Sequence, residues 1–462
     1  MTDFASLFVP DRGETAHSLT PVAADGFDAW LKAQPPQTRT LAAAGQFKAK
    51  PGEVLILPGR KDGEWSAVYG QTKTSSPWDL AAVAQKLPAG SYRIDGNWPA
   101  ESALGWLLAH HRFDRYLAKP DPIPQRILLT SDPAAIPAQI ALAEAVALVR
   151  DLVDTPAADM GPAELAAASE GVAKAYSADY RLTQGDTLEQ GYPMIAAVGR
   201  AAVRERAPRL IELEWGNPKH PRIAIIGKGV CFDSGGLDLK PSSAMLLMKK
   251  DMGGAAHALA LAQLVMHARL PVRLHLLIPA VENAVAGDAF RPGDILRSRK
   301  GISVEIGNTD AEGRLVLGDA LTRAGEDKPE LILDFATLTG AARVALGPDL
   351  PALFANDDTL AADIAAAASA ASDPVWRLPL WGDYADMLKS TAADINNAGE
   401  GGMAGAVTAA LFLQRFVPDG TAWAHFDTFA WRPSPKPGRP KGGDALGLRA
   451  AFAMLLARFV TP

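Results

Sequence analysis

Residues 222–236 read RIAIIGKGVCFDSGG, a segment in the larger, C-terminal part of the chain. An uninterrupted apolar run leads into a glycine-rich loop that carries Lys228 and Asp233. Continuous apolar runs are typical of strands buried on both faces of a parallel sheet, and glycines beyond the strand allow close backbone approach to a ligand. The segment therefore predicts a parallel α/β sheet with polar groups at a strand end.

The same alternation of strands and helices continues towards the C-terminus. Further apolar strands are expected at 272–278, 331–335 and 423–429. Segments of helical periodicity lie between and after them, at 253–270, 313–323, 359–371, 384–395, 404–416 and 447–459. Strands that alternate with helices predict a larger C-terminal domain whose mostly parallel central sheet is covered by helices.

The first part of the chain indicates a smaller α/β domain. Short apolar runs at 54–57 and 92–94 accompany a helical stretch at 101–109, and a longer apolar helix is expected at 138–153. We therefore predict an N-terminal α/β domain at 1–135, a connector helix at 136–158 and the larger domain at 159–462.

The composition excludes several classes of protein. The 46 Lys and Arg residues against 52 Asp and Glu give a formal net charge of −6, which argues against nucleic-acid binding. The single cysteine, Cys231, excludes an internal disulfide framework and suits a reducing compartment, so we expect a cytoplasmic location. No apolar run reaches the roughly 18 residues of a membrane-spanning helix, and no membrane association is expected.

Several familiar catalytic patterns are missing from the sequence. Neither H-E-x-x-H nor G-x-S-x-G occurs, and the loop after residue 226 is only half a P-loop, because Gly229 follows Lys228 where serine or threonine is required. His257, His267 and His275 lie in apolar periodic segments and are expected to have no chemical role. Zincin, serine hydrolase and nucleotide-binding functions are therefore disfavoured.

Acidic and basic residues instead collect near predicted strand ends. The sequence places Lys228 and Asp233 in one loop, Lys240 and Asp251 further on, and then the octapeptide NTDAEGRL at 308–315. If the octapeptide is extended, its alternation puts two carboxylates and a guanidinium on one side, and these belong to Asp310, Glu312 and Arg314. Grouped carboxylates repel each other unless they bind cations, so a two-metal centre is one hypothesis; helix caps and solvated loop residues are the other.

At these residues the sequence resembles the cytosolic leucyl aminopeptidase family. The octapeptide at 308–315 looks like the signature of that family. Matching segments occur in the same order at 227–236 (GKGVCFDSGG), 248–254 (MKKDMGG) and 336–340 (ATLTG), and a weaker likeness covers 383–417. Two positions depart from the family pattern, since Leu246 stands where an acid is frequent and Cys231 replaces a hydroxyl residue.

The resemblance implies a set of functional residues. It implies two divalent ions, Mn²⁺ or Zn²⁺, held by Lys228, Asp233, Asp251, Asp310 and Glu312. It assigns catalysis to Lys240 and Arg314, the latter together with a bound bicarbonate. It assigns substrate binding to Lys240, Asp251, Met248, Thr337 and Gly340.

The function implied by the resemblance is metal-dependent aminopeptidase activity. Such an enzyme would release N-terminal amino acids, leucine-like ones preferred, from short peptides with a free N-terminus, using a water activated by two metals. A homohexamer is also implied. Two alternatives stay open: a metal-dependent phosphoesterase, because clustered carboxylates also serve phosphoryl chemistry, and a non-catalytic family member that acts as a binding module.

Overall fold

The computed structural model describes residues 2–73 and 76–460, apart from the side chain of Glu400. The chain forms two compact units, the first comprising residues up to 147 together with 434–441, the second comprising 148–433 together with the chain from 442 onward. No helix among the described residues is both long and apolar enough to cross a membrane. The domain boundaries given above, after 135 and after 158, stay predictions.

The first unit is built on a six-stranded sheet. Its strands are β1 (Phe8–Pro10), β2 (His17–Ala23), β3 (Val54–Pro58), β4 (Trp65–Gln71), β5 (Gly90–Ile94) and β6 (Arg126–Thr130). They are arranged in the order β1-β6-β5-β2-β4-β3, and every pair is parallel except β3 with β4. Its helices are α1 (Phe27–Ala33), α2 (Pro36–Ala44), α3 (Pro77–Lys86) and α4 (Ala103–Leu108).

A long helix, α5 (Ile136–Asp154), occupies the segment in which we expected an apolar helix. It belongs partly to each unit, because the boundary at 147 falls inside it.

The second unit contains most of the regular structure. Its strands are β7 (Asp179–Gln184), β8 (Arg209–Trp215), β9 (Arg222–Gly227), β10 (Gly229–Asp233), β11 (Arg273–Asn283), β12 (Ile295–Arg297), β13 (Ser303–Glu305), β14 (Leu331–Ala336), β15 (Ala352–Ala355), β16 (Trp376–Arg377), β17 (Ile395–Asn396), β18 (Ala422–Asp427), β19 (Trp431–Arg432) and β20 (Gly442–Gly443). Its helices are α6 (Pro162–Tyr176), α7 (Asp186–Gly191), α8 (Pro193–Gly199), α9 (Ser242–Met245), α10 (Gly253–His267), α11 (Glu312–Glu326), α12 (Gly340–Leu346), α13 (Asp358–Ala370), α14 (Gly405–Gln414) and α15 (Leu448–Phe459).

The large sheet of the second unit has a parallel centre. Its order is β16-β15-β18-β14-β9-β11-β8-β7, with β10 paired to β11, and the four central strands β18, β14, β9 and β11 are parallel. Antiparallel strands lie outside this centre on both sides. The predicted fold class, a mostly parallel sheet covered by helices beside a smaller α/β part, is confirmed.

The central strands are continuous apolar runs because both of their faces are covered. One face of β9 contributes Ala224 and Ile226 to a buried cluster that includes Leu315 and Val316 of α11. Helix α10 also contacts β9 and β14, and Ile223 and Ile225 of β9 are buried as well. A strand that is buried on both faces carries apolar residues on both sides, which is why its sequence is a continuous apolar run and could be predicted as a strand.

Two expectations about local structure were wrong. The segment 384–395 is not an α-helix: a 3₁₀ helix ends at Leu388, and Ser390 Oγ then accepts hydrogen bonds from the amides of Ala392 and Ala393. This turn leads the chain into β17, which pairs with β13. The octapeptide is not extended throughout, because α11 begins at Glu312 within it.

Close contact between α10 and the sheet depends on a glycine. A Cβ atom built on Gly254 would overlap the carbonyl oxygen of Phe335 and lie 2.8 Å from Cα of Ala336. Because both are backbone atoms of β14, neither can move aside as a flexible side chain would. Gly254 therefore fixes how closely the helix start approaches the strand end.

We expect Gly254→Ala to lower the free energy of unfolding by about 2 kcal/mol or more, because the added methyl must push the helix away from β14. This corresponds to a fall in the apparent Tm of about 4–8 °C, measurable by circular dichroism. Gly287→Ala is the matched control, since a Cβ there meets nothing within 4 Å. Equal Tm values for the two variants would contradict this account of the contact.

Candidate metal centre

The carboxyl ends of the central strands deliver the polar residues of the site. Lys228 follows the last residue of β9, Asp233 is the last residue of β10, and Thr337 follows the last residue of β14. Asp251 lies in a 3₁₀ helix, Met248–Met252, that leads into α10. Because parallel strands end at the same edge of a sheet, residues distant in sequence meet there.

The backbone of Lys228 is fixed on both sides. Its amide donates to the carbonyl of Phe335 at 2.9 Å, and its carbonyl accepts from the amide of Ala255 at 2.8 Å. The lysine is therefore tied to β14 and to the start of α10, and its side chain enters the site from a rigid position.

Lys228 joins two carboxylates in a fully buried group. Its Nζ lies 2.6 Å from Oδ2 of Asp251 and 2.9 Å from Oε1 of Glu312, the first residue of α11. The hydroxyl of Thr337 donates to Oδ1 of Asp251 at 2.8 Å. Each ionic side chain of this group is at most 3% exposed.

Lys240 joins the other two carboxylates nearer the solvent. Its Nζ lies 2.8 Å from Oδ2 of Asp233 and also contacts Oδ1 of Asp310. The second oxygen of Asp233 accepts from the amide of Gly235 at 2.8 Å and from Nδ2 of Asn283 at 2.9 Å. These two donors orient Asp233, so that its other oxygen faces the cluster.

Burial and mutual repulsion act on the titration of the acids. Desolvation, reinforced by the charge of Asp233, raises the pKa of Glu312 to about 8 and that of Asp310 to about 6. Burial alone would lower the pKa of Lys228, but the carboxylates of Asp251 and Glu312 hold it above its usual range. Among the residues that the structure describes, four carboxylates thus share two lysine counter-ions.

The carboxylate oxygens of the cluster fit a divalent cation. Oδ2 of Asp251, Oε1 of Glu312 and Oδ1 of Asp310 are buried and contact the ammonium groups of the two lysines, and Oε2 of Glu312 is buried without a hydrogen-bond donor among the described residues. Oxygens of Asp233, Asp310 and Glu312 lie within 4.8 Å of one another. Buried carboxylates that outnumber their counter-ions are costly, and oxygen ligands at this spacing are what hard and borderline divalent ions bind.

A second acidic group, around His275, differs in this respect. Ligand atoms of Glu214, His275 and Asp327 also lie within 4.8 Å of one another. Here arginines compensate the acids, since Arg222 lies 3.2 Å from Glu214 and 2.8 Å from Asp327. This group is an ionic network at the opposite ends of the strands and offers a metal no uncompensated carboxylates.

The site opens into a cavity of about 330 Å³. Eight of the ten residues predicted for the site line it, namely Lys228, Asp233, Lys240, Met248, Asp251, Asp310, Thr337 and Gly340. Glu312 and Arg314 are buried and are not part of its wall. The cavity gives a ligand direct access to Lys240 and Asp251.

Arg314 reaches its place by a different geometry from the one expected. It lies in the first turn of α11 rather than on one side of an extended segment with Glu312. One guanidinium nitrogen donates to the carbonyl of Asn397 at 2.8 Å, and Nε is buried with no hydrogen-bond acceptor among the described residues. A buried donor without a partner fits a bound anion.

The two positions that depart from the family pattern, Cys231 and Leu246, do not line the cavity. Cys231 is fully buried, and its thiol donates to the carbonyl of Gly229 at 3.6 Å, so it packs as a small apolar side chain. Leu246 is 79% exposed.

Sequence reasoning missed several residues that organise the site. Asn283 orients Asp233, and Asn397 accepts from Arg314 and donates to the carbonyl of Asn308 at 2.7 Å. Asn283 ends a long apolar run and could have been found as a polar strand end. Nothing local marks Asn397, because its partners lie more than 80 positions away in sequence.

Comparison with known proteins gives a consistent result. Residues 147–452 match the profile described as the cytosol aminopeptidase family, catalytic domain, and residues 18–128 match that of an N-terminal domain of these aminopeptidases. The chain is 41% identical to a probable cytosol aminopeptidase of Syntrophotalea carbinolica over 76% of this chain and 73% of that protein.

Two solved structures resemble this chain over nearly its whole length. The cytosol aminopeptidase of Coxiella burnetii has a TM-score of 0.93 and 44% identity, covering 98% of this chain and 99% of that one. The bottromycin maturation enzyme BotP, solved in complex with Mn, has a TM-score of 0.87 and 32% identity, covering 96% and 100%.

We expect Mn²⁺ to stabilise the chelator-treated protein, because the cation relieves repulsion among buried carboxylates. At a concentration one hundred times the Kd, binding adds about 2.7 kcal/mol, or roughly 5–10 °C in apparent Tm. Differential scanning fluorimetry during an MnCl₂ titration measures this shift. Glu312→Gln is expected to lose most of it, and a full shift in that variant would show that Mn²⁺ binds elsewhere.

Proposed function

The chain belongs to the cytosol aminopeptidase family and is a metal-dependent aminopeptidase, and we propose that the carboxylate cluster at the strand ends is its active site. The observation that carries this assignment is the convergence of carboxylate oxygens from Asp233, Asp310 and Glu312, which lie within 4.8 Å of one another beside a cavity. The phosphoesterase and binding-module alternatives find no support in the family membership.

Five residues would hold the metal ions, namely Lys228, Asp233, Asp251, Asp310 and Glu312. Mn²⁺ is one candidate, supported by the BotP structure solved with Mn, and Zn²⁺ is the other. When bound, two such ions polarise the peptide carbonyl and lower the pKa of a water so that it can attack at neutral pH. Lys228 can be a ligand only as a neutral amine, and cationic metal charge favours that form.

Asp251 and Lys240 would bind the first residue of the peptide, Asp251 at its α-amine and Lys240 at its carbonyl oxygen. Asp251 is fixed by Thr337 and lines the cavity, so its carboxylate can receive the free α-amine of a peptide. This contact would confine the reaction to the first residue. Lys240 can donate to the carbonyl oxygen as negative charge develops on it, and a preorganised donor at this place lowers the barrier.

Met248, Thr337 and Gly340 would form the walls around the first side chain. All three line the cavity, and Gly340 at the start of α12 adds no side chain to it. An apolar and roomy wall accepts leucine-like side chains. Arg314, with its unpartnered buried Nε, would hold a bicarbonate anion that can serve as the general base.

We also propose a cytoplasmic location and a homohexamer. The location is supported by the names of the curated relatives and by the single cysteine. The hexamer rests on the family resemblance. Light scattering after size exclusion tests it, because a hexamer has six times the mass of the chain.

Hydrolysis of leucine p-nitroanilide by the purified protein tests the activity itself. We expect release of p-nitroaniline that is lost after chelator treatment and restored by Mn²⁺, because the carboxylate cluster alone cannot activate water at neutral pH. Activity that survives complete metal removal, confirmed by elemental analysis, would contradict the assignment of the cluster as a metal centre.

Replacing the lysine that faces the cavity separates binding of metal from catalysis. We expect Lys240→Met to lower kcat for leucine p-nitroanilide by roughly 10²–10³, the usual cost of losing one oxyanion donor. The Mn²⁺-induced rise in Tm should be retained. Lys219→Met, an exposed loop residue, is the control for loss of one positive charge. A variant with kcat near that of the wild type would exclude the proposed role of Lys240.

A further inference from the structure

The cavity contains a second charged feature besides the carboxylate cluster. Lys250 and Arg343 both line it, and both lie against the ring of Phe429, which lines it as well. Nζ of Lys250 and Cζ of Arg343 are each 5.1 Å from the ring centroid. Arg343 is exposed, whereas Lys250 is only 5% exposed. Two cationic side chains therefore converge on one aromatic wall.

No acid of the described chain compensates these two cations directly. Among the described residues, no carboxylate oxygen lies within 4.0 Å of the charged nitrogens of Lys250 or Arg343, the distance that defines an ion pair. Asp251 and Asp427 are the acids whose charges act on Lys250, yet both are engaged by other groups. Asp251 contacts Lys228 at 2.6 Å, and Asp427 accepts from Thr339 Oγ1 at 2.6 Å and from the amide of Leu338 at 3.0 Å.

A buried ammonium group that has no counter-ion costs free energy unless a ligand supplies the opposite charge. The aromatic ring of Phe429 stabilises the cation by only part of this amount. The wall formed by Lys250, Arg343 and Phe429 thus has the properties of a site for a carboxylate: two donors, an adjoining aromatic surface and access from the cavity.

The position of Lys250 relates this site to the reacting end of a peptide. Lys250 lies in the same short 3₁₀ helix as Met248 and Asp251. If Asp251 receives the α-amine and Met248 adjoins the first side chain, Lys250 is placed to meet a polar group at the end of that side chain.

We propose that Lys250 and Arg343 bind the side-chain carboxylate of an acidic first residue, so that the enzyme releases N-terminal glutamate or aspartate as well as leucine-like residues. This proposal rests on the proposed function, since it uses the amine position at Asp251. A C-terminal carboxylate of a dipeptide has the same chemistry, and the experiment below separates the two sources.

The test compares kcat/KM for glutamic acid α-(p-nitroanilide) and leucine p-nitroanilide, neither of which has a C-terminal carboxylate. We expect the wild-type enzyme to hydrolyse both. In Lys250→Met the ratio of glutamyl to leucyl kcat/KM should fall about tenfold or more, the usual effect of losing a hydrogen bond to a charged group. Arg343→Met should lower the same ratio, and Lys219→Met should leave it unchanged.

Three results would overturn the proposal. The first is hydrolysis of the leucyl substrate but not the glutamyl one by the wild type. The second is an unchanged ratio in both Lys250→Met and Arg343→Met. Arg343 is exposed and remote in sequence from the metal ligands, so its variant keeps the test valid if Lys250→Met fails to fold. Inactivity of the wild type on both substrates would instead count against the proposed function.

The third result comes from leucylglycine and leucylglycinamide, which differ only in the C-terminal charge. The quantity measured is the ratio of kcat/KM for leucylglycine to kcat/KM for leucylglycinamide. If this ratio falls to about one in Lys250→Met while the glutamyl to leucyl ratio stays unchanged, the cations bind the C-terminal carboxylate. If the leucylglycine to leucylglycinamide ratio stays unchanged while the glutamyl to leucyl ratio falls, the cations bind the side-chain carboxylate of the first residue.

Discussion

Four carboxylates held together in a largely buried place are the constraint on which the rest of this structure depends. Each acid comes from a different piece of the chain: a strand end, a 3₁₀ helix, a turn and the first residue of a helix. Such an arrangement is unfavourable unless positive charge is supplied and the backbone is held firmly. The two lysines supply part of that charge, and divalent cations suit the remainder.

The apolar sheet holds the backbone of the site in place. Residues Ile223, Ile225 and Ile226 of β9 are at most 1% exposed, and the strand delivers Lys228 directly from this core. Close approach of α10 at Gly254 then allows Ala255 to bind the carbonyl of Lys228. Packing energy gained in the core is what keeps like charges at short separations, since loops alone would let them move apart.

The sequence allowed the central strands and the residues at their ends to be predicted, because a strand covered on both faces is a continuous apolar run and its end is marked by polar residues. It did not allow the geometry of the octapeptide to be predicted, because NTDAEGRL lacks a decisive pattern before Glu312 opens a helix. The helix expected at 384–395 failed because pairing of β17 with β13 outweighs helical propensity there. Asn397 became visible only through contacts made across the fold.

Lys228 and Lys240 show how position separates the roles of two residues of one type. Lys228 is sealed between Asp251 and Glu312, with its backbone bound on both sides, so it can respond only to changes in local charge. The side chain of Lys240 is 13% exposed, and it bridges Asp233 and Asp310 at the cavity. Cations that neutralise those two acids would release its ammonium group towards a substrate. Bound metal cations would therefore make Lys228 a candidate ligand and Lys240 a candidate hydrogen-bond donor. The difference in burial between the two lysines decides which role each one takes.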